Sequence, residues 1–270
     1  MATPLPWDLV SSAYAAEIVP SFEAYARDAL RLAAVPSGQP IVDVACGPGT
    51  LAFLAAELGH PVEALDFSPA MIERLEARKA AGGGAAVTAR VGDGQALPFA
   101  EGAFAGAFSM FGLMFFPDRA QGYRELRRVL RPGARAVVSS WQRLENNPIL
   151  SAMFGALREE MGRVLGPNAP KPGAQDMPLV DEDSCRAEMS EAFADVEVHS
   201  ISHTQTYASP ADIWNGIERT MAPLVLMRKN LGEERWAPLS AAAKSAIVAA
   251  VGDGPPSATL PAWLTVGTAR

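Results

Sequence analysis

The chain has 270 residues, 49% of them hydrophobic and 20% charged, which excludes global disorder and allows one large α/β domain with insertions. A formal charge of −7 leaves no basic excess with which to displace counterions from a nucleic acid. The two cysteines, Cys46 and Cys185, lie far apart and belong to no ligand cluster, so a disulfide scaffold and a zinc site are excluded and a reducing compartment fits.

Residues 8–35 place apolar residues at helical spacing, and Pro20 divides them into two helices. The start of the chain does not read as a signal peptide, and the longest apolar run, residues 103–116, contains two glycines and is too short to span a bilayer. A cytoplasmic protein without a membrane span is expected. After Pro36-Ser37-Gly38, PIVDVACGPGT reads as a strand ending in a glycine turn, LAFLAAELG as a helix stopped by Gly59, and PVEALDFS as a second strand. His60, between them, reads as exposed. SPAMIERLEARKAAGGG follows as a helix with Ser68 as N-cap and Pro69 at its first position.

AAVTARVGDG and AFAGAFSMF read as the third and fourth strands, DRAQGYRELRRVLRPG as a helix, and ARAVVSSW as the fifth strand. Arg124, Arg127, Arg128 and Arg131 read as a solvated helix face. Beyond Trp141 the rhythm changes to a helix over residues 149–165 and a Pro/Gly-rich loop over 166–178. VEVHSISHTQTY reads as a strand, residues 210–251 as a helical stretch, and LPAWLTVGTA as the last strand. Alternating strands and helices predict a parallel sheet covered on both faces, and neither insert is long enough to build much core alone.

In open α/β sheets ligands bind beyond the carboxyl ends of the strands. Asp43 stands in an otherwise apolar first strand, followed by Gly47 and Gly49, which permit a sharp turn and close approach to a ligand. A buried carboxylate needs a partner, and a ligand ammonium provides one. Asp66 ends the second strand, where a carboxylate can accept from two ribose hydroxyls, and Asp93 stands between Gly92 and Gly94 after the third. One acid at each of three strand ends suits a ligand with an amine, a ribose and an adenine amino group, whereas a pyrophosphate is repelled. For Asp66 alone, an acid at the start of the following helix is the competing reading.

These motifs resemble those of the class I S-adenosylmethionine-dependent methyltransferases. DVACGPG is similar to their first motif, with Ala45 where glycine is commonest; LDFSPAMIERL, GDGQALPF and ELRRVLRPGARAVVSSW resemble later segments in order. SMFGLMFFPD is similar to the segment after the fourth strand in ubiquinone and menaquinone C-methyltransferases. The resemblance covers residues 38–142. It implies a Rossmann-like, doubly wound sheet of seven strands, mostly parallel with an antiparallel last strand, carrying helical cap insertions. By position it implies that Ala45, Gly47 and Gly49 line the methionine part of S-adenosylmethionine and that Asp43 holds its amino group. Asp66 binds the ribose; Phe67 and Met71 pack on the adenine; Asp93 receives its amino group, with Gly92 and Gly94 beside it in the cofactor site; Ser109 and Met110 sit near the carboxylate and sulfonium.

The expected division is an N-terminal helical lid (1–36), a donor-binding core (37–142), a partial cap with the sixth strand (143–208), a helical cap insertion (209–258) and the last strand (259–270). The expected activity is methyl transfer to a small aromatic or lipophilic acceptor, with S-adenosylhomocysteine as product, no metal and no nucleic-acid partner. Tyr14 is the candidate that closes over donor and substrate. His203 is the candidate base, facing the cleft if its strand stops near Ser202. Binding of the donor without transfer, and a nicotinamide-dependent oxidoreductase fitting Gly47-x-Gly49-x-x-Ala52, are the alternatives.

Overall fold

The computed structural model describes residues 3–143, 147–166 and 177–270. Most of the Pro/Gly-rich loop expected over 166–178 lies outside the described residues. Seven strands form one sheet: β1 (Ile41–Val44), β2 (Val62–Asp66), β3 (Val87–Val91), β4 (Phe104–Ser109), β5 (Leu130–Trp141), β6 (Ala194–Thr206) and β7 (Ser257–Thr268). Their order is β3-β2-β1-β4-β5-β7-β6, and β7 runs antiparallel to both β5 and β6. All four residues of β1 are buried, which is why its run reads as continuously apolar apart from Asp43. Strand order reverses between β1 and β4, so a crevice opens beyond their carboxyl ends.

Helix α1 (Leu5–Ala33) is one helix rather than two. Pro20 removes the bond to the Ala16 carbonyl, but both residues lie on the exposed face, where the freed carbonyl is open to solvent. Buried Val10, Val19, Tyr25, Ala29 and Leu30 keep the two halves packed on the same body. Helices α2 (Thr50–Glu57) and α3 (Pro69–Ala80) join α1 in a core on one sheet face. Ser68 caps α3 by accepting from the Met71 amide at 3.1 Å, with Pro69 at the first turn, as its sequence predicts.

The opposite face is covered by α4 (Arg119–Val129) and α6 (Glu182–Ser190), which bury Tyr123, Leu126 and Met189 against Val42, Val44 and Leu65. The arginine face of α4 is not simply solvated. Arg128 grips Glu125 and donates to the Phe99 carbonyl at 2.7 Å and the Leu97 carbonyl at 2.9 Å, while Glu125 accepts the Leu97 amide at 2.7 Å. This network fastens the segment after Asp93. His60, expected to be exposed, is 6% accessible, with Nδ1 3.0 Å from the Gln39 carbonyl.

The helical stretch after β6 is three helices, α7 (Pro210–Thr220), α8 (Ala222–Leu231) and α9 (Glu233–Val251), separated where Met221 is extended and Gly232 takes φ +78°. Together with α5 (Pro148–Leu165) they bury Met153, Leu157, Trp214, Trp236 and Leu239 in a third core. Each insert alone is too small for this; packed against each other, the two share one interior. No helix among the described residues is long and apolar enough to cross a membrane.

Candidate active site

The turn after β1 is built from left-handed backbone: φ is +57° at Ala45, +54° at Gly47 and +85° at Gly49. Ala45 bears its methyl at a cost glycine avoids. The facing loop makes room, because a Cβ at Gly112 would lie 2.3 Å from that methyl. A Cβ at Gly49 would meet Phe53 at 2.9 Å and Leu75 at 3.0 Å, so this glycine is required by packing behind the turn rather than by the cleft in front. Arg78 braces the same turn, donating to the Pro48 carbonyl at 2.6 Å with its guanidinium over the Phe53 ring.

Asp43 is fully buried, and neither carboxylate oxygen has a hydrogen-bond partner. Burial first, and the Asp66 charge second, push its pKa up to about 7 against the weaker pull of the nearby Ala52 amide. Asp66 accepts from the Gly47 amide at 2.8 Å and the Ser68 amide at 2.9 Å, tying the glycine turn to the start of α3. It therefore does serve the helix N-terminus, and each oxygen retains a lone pair for a further donor. Burial pushes Asp66 up to about 6; the Ser68 and Gly47 amides oppose this and the Asp8 charge adds to it. Asp8 itself reaches in from α1 and accepts from the Ser68 hydroxyl at 2.5 Å. Sequence reading missed it, since an acid in a first helical turn looks like a dipole partner.

Asp93 turns one oxygen back onto Gln95, accepting from its amide at 2.9 Å and its side chain at 3.0 Å. Gly92 and Gly94 flank it; the Gly92 amide donates to the Asp66 carbonyl at 2.9 Å. Phe67 is half-buried next to Asp66, and Met71, 2% accessible, packs with Val10 and Ala222. Ser109 is fully buried and its hydroxyl accepts from the Leu113 amide at 3.1 Å, so it closes a turn behind the crevice.

Two cavities meet at this crevice. The smaller, about 40 Å³, is lined by Asp43, Ala45, Gly47 and Met110 with Tyr14 over them. The larger, about 500 Å³, runs under α5, α7 and α8 and is lined by Trp7, Ile18, Phe115, Trp141, Phe154 and Tyr207 among others. Tyr14, Phe22 and Phe111 line both. Burial first and the Asp66 charge second hold the Tyr14 phenol well above its ordinary range, so it stays protonated. The aromatics of α1 form one stripe, Trp7, Tyr14, Phe22 and Tyr25, a signal available in the sequence. His203 does not join them. Strand β6 continues to Thr206, and the imidazole sits 2.9 Å from Asp28 on α1, edge-on to Tyr25 and outside the lining of both cavities.

Residues 41–133 match the model of the family described as "Methyltransferase domain". That match spans about a third of the chain, the stretch that carries β1 to β4, α2 to α4 and the start of β5. The chain is 39% identical over 142 residues to a demethylmenaquinone methyltransferase of Thermus thermophilus, covering 52% of this chain and 62% of that protein. It is 38% identical over 109 residues to an uncharacterized protein of Mycobacterium bovis, covering 40% of this chain and 39% of the relative. It thus spans about two-fifths of that mycobacterial relative and three-fifths of the Thermus one. A putative methyltransferase structure from Bacillus halodurans shares its fold, with a TM-score of 0.61 at 18% identity over 92% of this chain and 99% of the other. The YcgJ protein of Bacillus subtilis gives 0.59 at 17% identity over 92% and 98%.

The residues fit the family's methyl donor. An orphaned, fully buried carboxylate at Asp43 calls for a cation, and the space in front of Gly47 is open. Among the described residues, no group of three His, Cys, Asp or Glu side chains is placed to hold a metal.

Proposed function

We propose that this protein transfers a methyl group from S-adenosylmethionine to a lipophilic, aromatic acceptor held in the larger cavity. One observation carries the reading: a carboxylate-lined donor cradle and an apolar chamber of about 500 Å³ share the walls Tyr14, Phe22 and Phe111. The bound donor supplies a methyl activated by a sulfonium. Asp43 would hold its ammonium, Gly47 and Met110 its methionine part, Asp66 its ribose, and Met71 with Phe67 its adenine, beside Asp93. Tyr14, neutral and half-buried, would donate a hydrogen bond across the junction and exclude water.

The chain's contribution is chiefly alignment. Among the described residues the chamber lining includes no imidazole, and Glu17 is paired with Arg219 at 2.9 Å and 3.0 Å. This favours an acceptor that is nucleophilic once its proton passes to water, such as a quinol ring carbon or an acidic phenol. The demethylmenaquinone methyltransferase relative supports that class. The test is formation of S-adenosylhomocysteine with a panel of phenols, quinols, amines and carboxylic acids, followed by product mass. Donor binding without any methylated product would leave a donor-binding protein instead.

A further inference from the structure

Phe111 is held in an unusual way. Its φ of +56° is left-handed, a costly conformation for a bulky residue, and the surroundings over-determine it. The Phe111 amide donates to the Ser139 hydroxyl on β5 at 2.8 Å, and Ser139 is fully buried. The ring stacks on Trp141 at 4.0 Å and 17°, and Tyr25 meets it edge-on at 5.4 Å and 90°. The next residue, Gly112, takes the Ala45 methyl of the donor turn. Ring, backbone and neighbouring loop are therefore locked together where the two cavities meet.

We propose that Phe111 is the specificity-determining wall of the acceptor cavity, and that Ser139 is the positioning residue that holds it. This rests on the reading of the larger cavity as the acceptor site. One ring face is covered by Trp141 and the rest is packed, leaving the Phe111 side chain 5% accessible, so what it presents to either cavity is fixed. A ligand entering from the chamber stops against this ring. Its reactive atom is then set at a depth defined by the β4 and β5 backbones rather than by a mobile side chain. Strain placed at such a junction is expected where alignment controls the rate.

The test measures two affinities by calorimetry, for S-adenosylhomocysteine and for 1-naphthol with S-adenosylhomocysteine present, alongside rates across phenols of different length. Phe111→Leu keeps the backbone and loses the ring; Ser139→Ala keeps the ring and loses its anchor. Both should weaken 1-naphthol about fivefold, the scale of a lost aromatic contact, and flatten the preference among phenols. Because Phe111 also lines the smaller cavity, donor-product affinity should fall too, but by clearly less than 1-naphthol affinity. Phe111→Tyr should recover most of the binding lost in Phe111→Leu. If Phe111→Leu does not fold, Ser139→Ala decides alone. The proposal is overturned if 1-naphthol affinity is unchanged, if both ligands weaken equally, or if the wild type does not bind 1-naphthol. A wild type that binds both ligands yet methylates nothing rejects the catalytic reading, while the two affinities still decide the wall.

Discussion

The proposed donor cradle and the helical layer over it are built on opposite terms. In the cradle, three consecutive strand-end turns fix backbone groups to within a hydrogen bond, and Ala45, Gly47 and Gly49 take left-handed conformations to do so. In the layer formed by α5 and α7 to α9, ordinary helices meet through Trp, Leu and Met side chains, and the space they leave is defined by volume. The first region depends on particular φ values and charges, so single atoms matter. The second depends on how well apolar surfaces fill, so it tolerates exchange of similar shapes.

Four experiments can break or sharpen this contrast. The largest effect belongs to Gly49→Val: with φ at +85° and Phe53 and Leu75 at 2.9 Å and 3.0 Å from any Cβ, the turn cannot form. Calorimetry should find no binding of S-adenosylhomocysteine, and near-native affinity would remove the turn from the donor site. Trp236→Ala should come next, costing about 3–5 kcal/mol of stability through loss of a fully packed indole. Donor-product affinity of the variant at low temperature should remain within about twofold, because Trp236 packs in a core separate from the one behind the glycine turn. A parallel collapse of both would show that the two regions are one cooperative unit.

Asp43→Asn should weaken the donor about tenfold, the loss expected for a charge-assisted contact, and yet raise the melting temperature of the donor-free protein above pH 7. The sign follows from the raised pKa. Asp43 binds its proton more tightly folded than unfolded, so its burial is free of cost below its ordinary value of 3.8. Stability is lost as pH rises through about 7, where the unpartnered charge forms. The wild type should therefore lose stability between these values and the Asn variant should lose less. A melting profile with identical slopes would place a partner on Asp43. The smallest effect is His203→Ala, expected to lower turnover less than about tenfold, below the range for a positioned base. A hundredfold loss with donor affinity intact would restore His203 as a base.

The cradle was legible because its chemistry is local in sequence. Each acid has a glycine or serine within four residues, so Asp43, Asp66, Asp93 and the Ser68 cap could be named from spacing. The sheet followed from alternation of strands and helices. What stayed hidden depends on contacts between distant segments. Asp8 reaches Ser68 across sixty positions, Arg128 fastens a loop that precedes its own helix, and α5 and α9 make a core that neither insert predicts alone. Pro20 misled because its cost depends on whether the freed carbonyl faces water, which the side-chain pattern around it shows only once the helix's exposed face is known. His203 misled because the length of β6 decides where it faces, and edge-strand ends are set by pairing rather than by composition.

The pairing of β6 with β7 has one more consequence. Thr206 lies opposite Ser257, and the Tyr207 amide donates to the Pro256 carbonyl at 2.7 Å, so residues 208–256 leave and re-enter the sheet at adjacent positions of a hairpin. A hairpin tolerates a long excursion between its arms because the entropic cost of closure grows only with the logarithm of length. The ceiling of the chamber is thus hung on a fixed mount. A longer or shorter ceiling fits the same mount without re-registering a strand, so the chamber's shape and the cradle beneath it are set by separate parts of the chain.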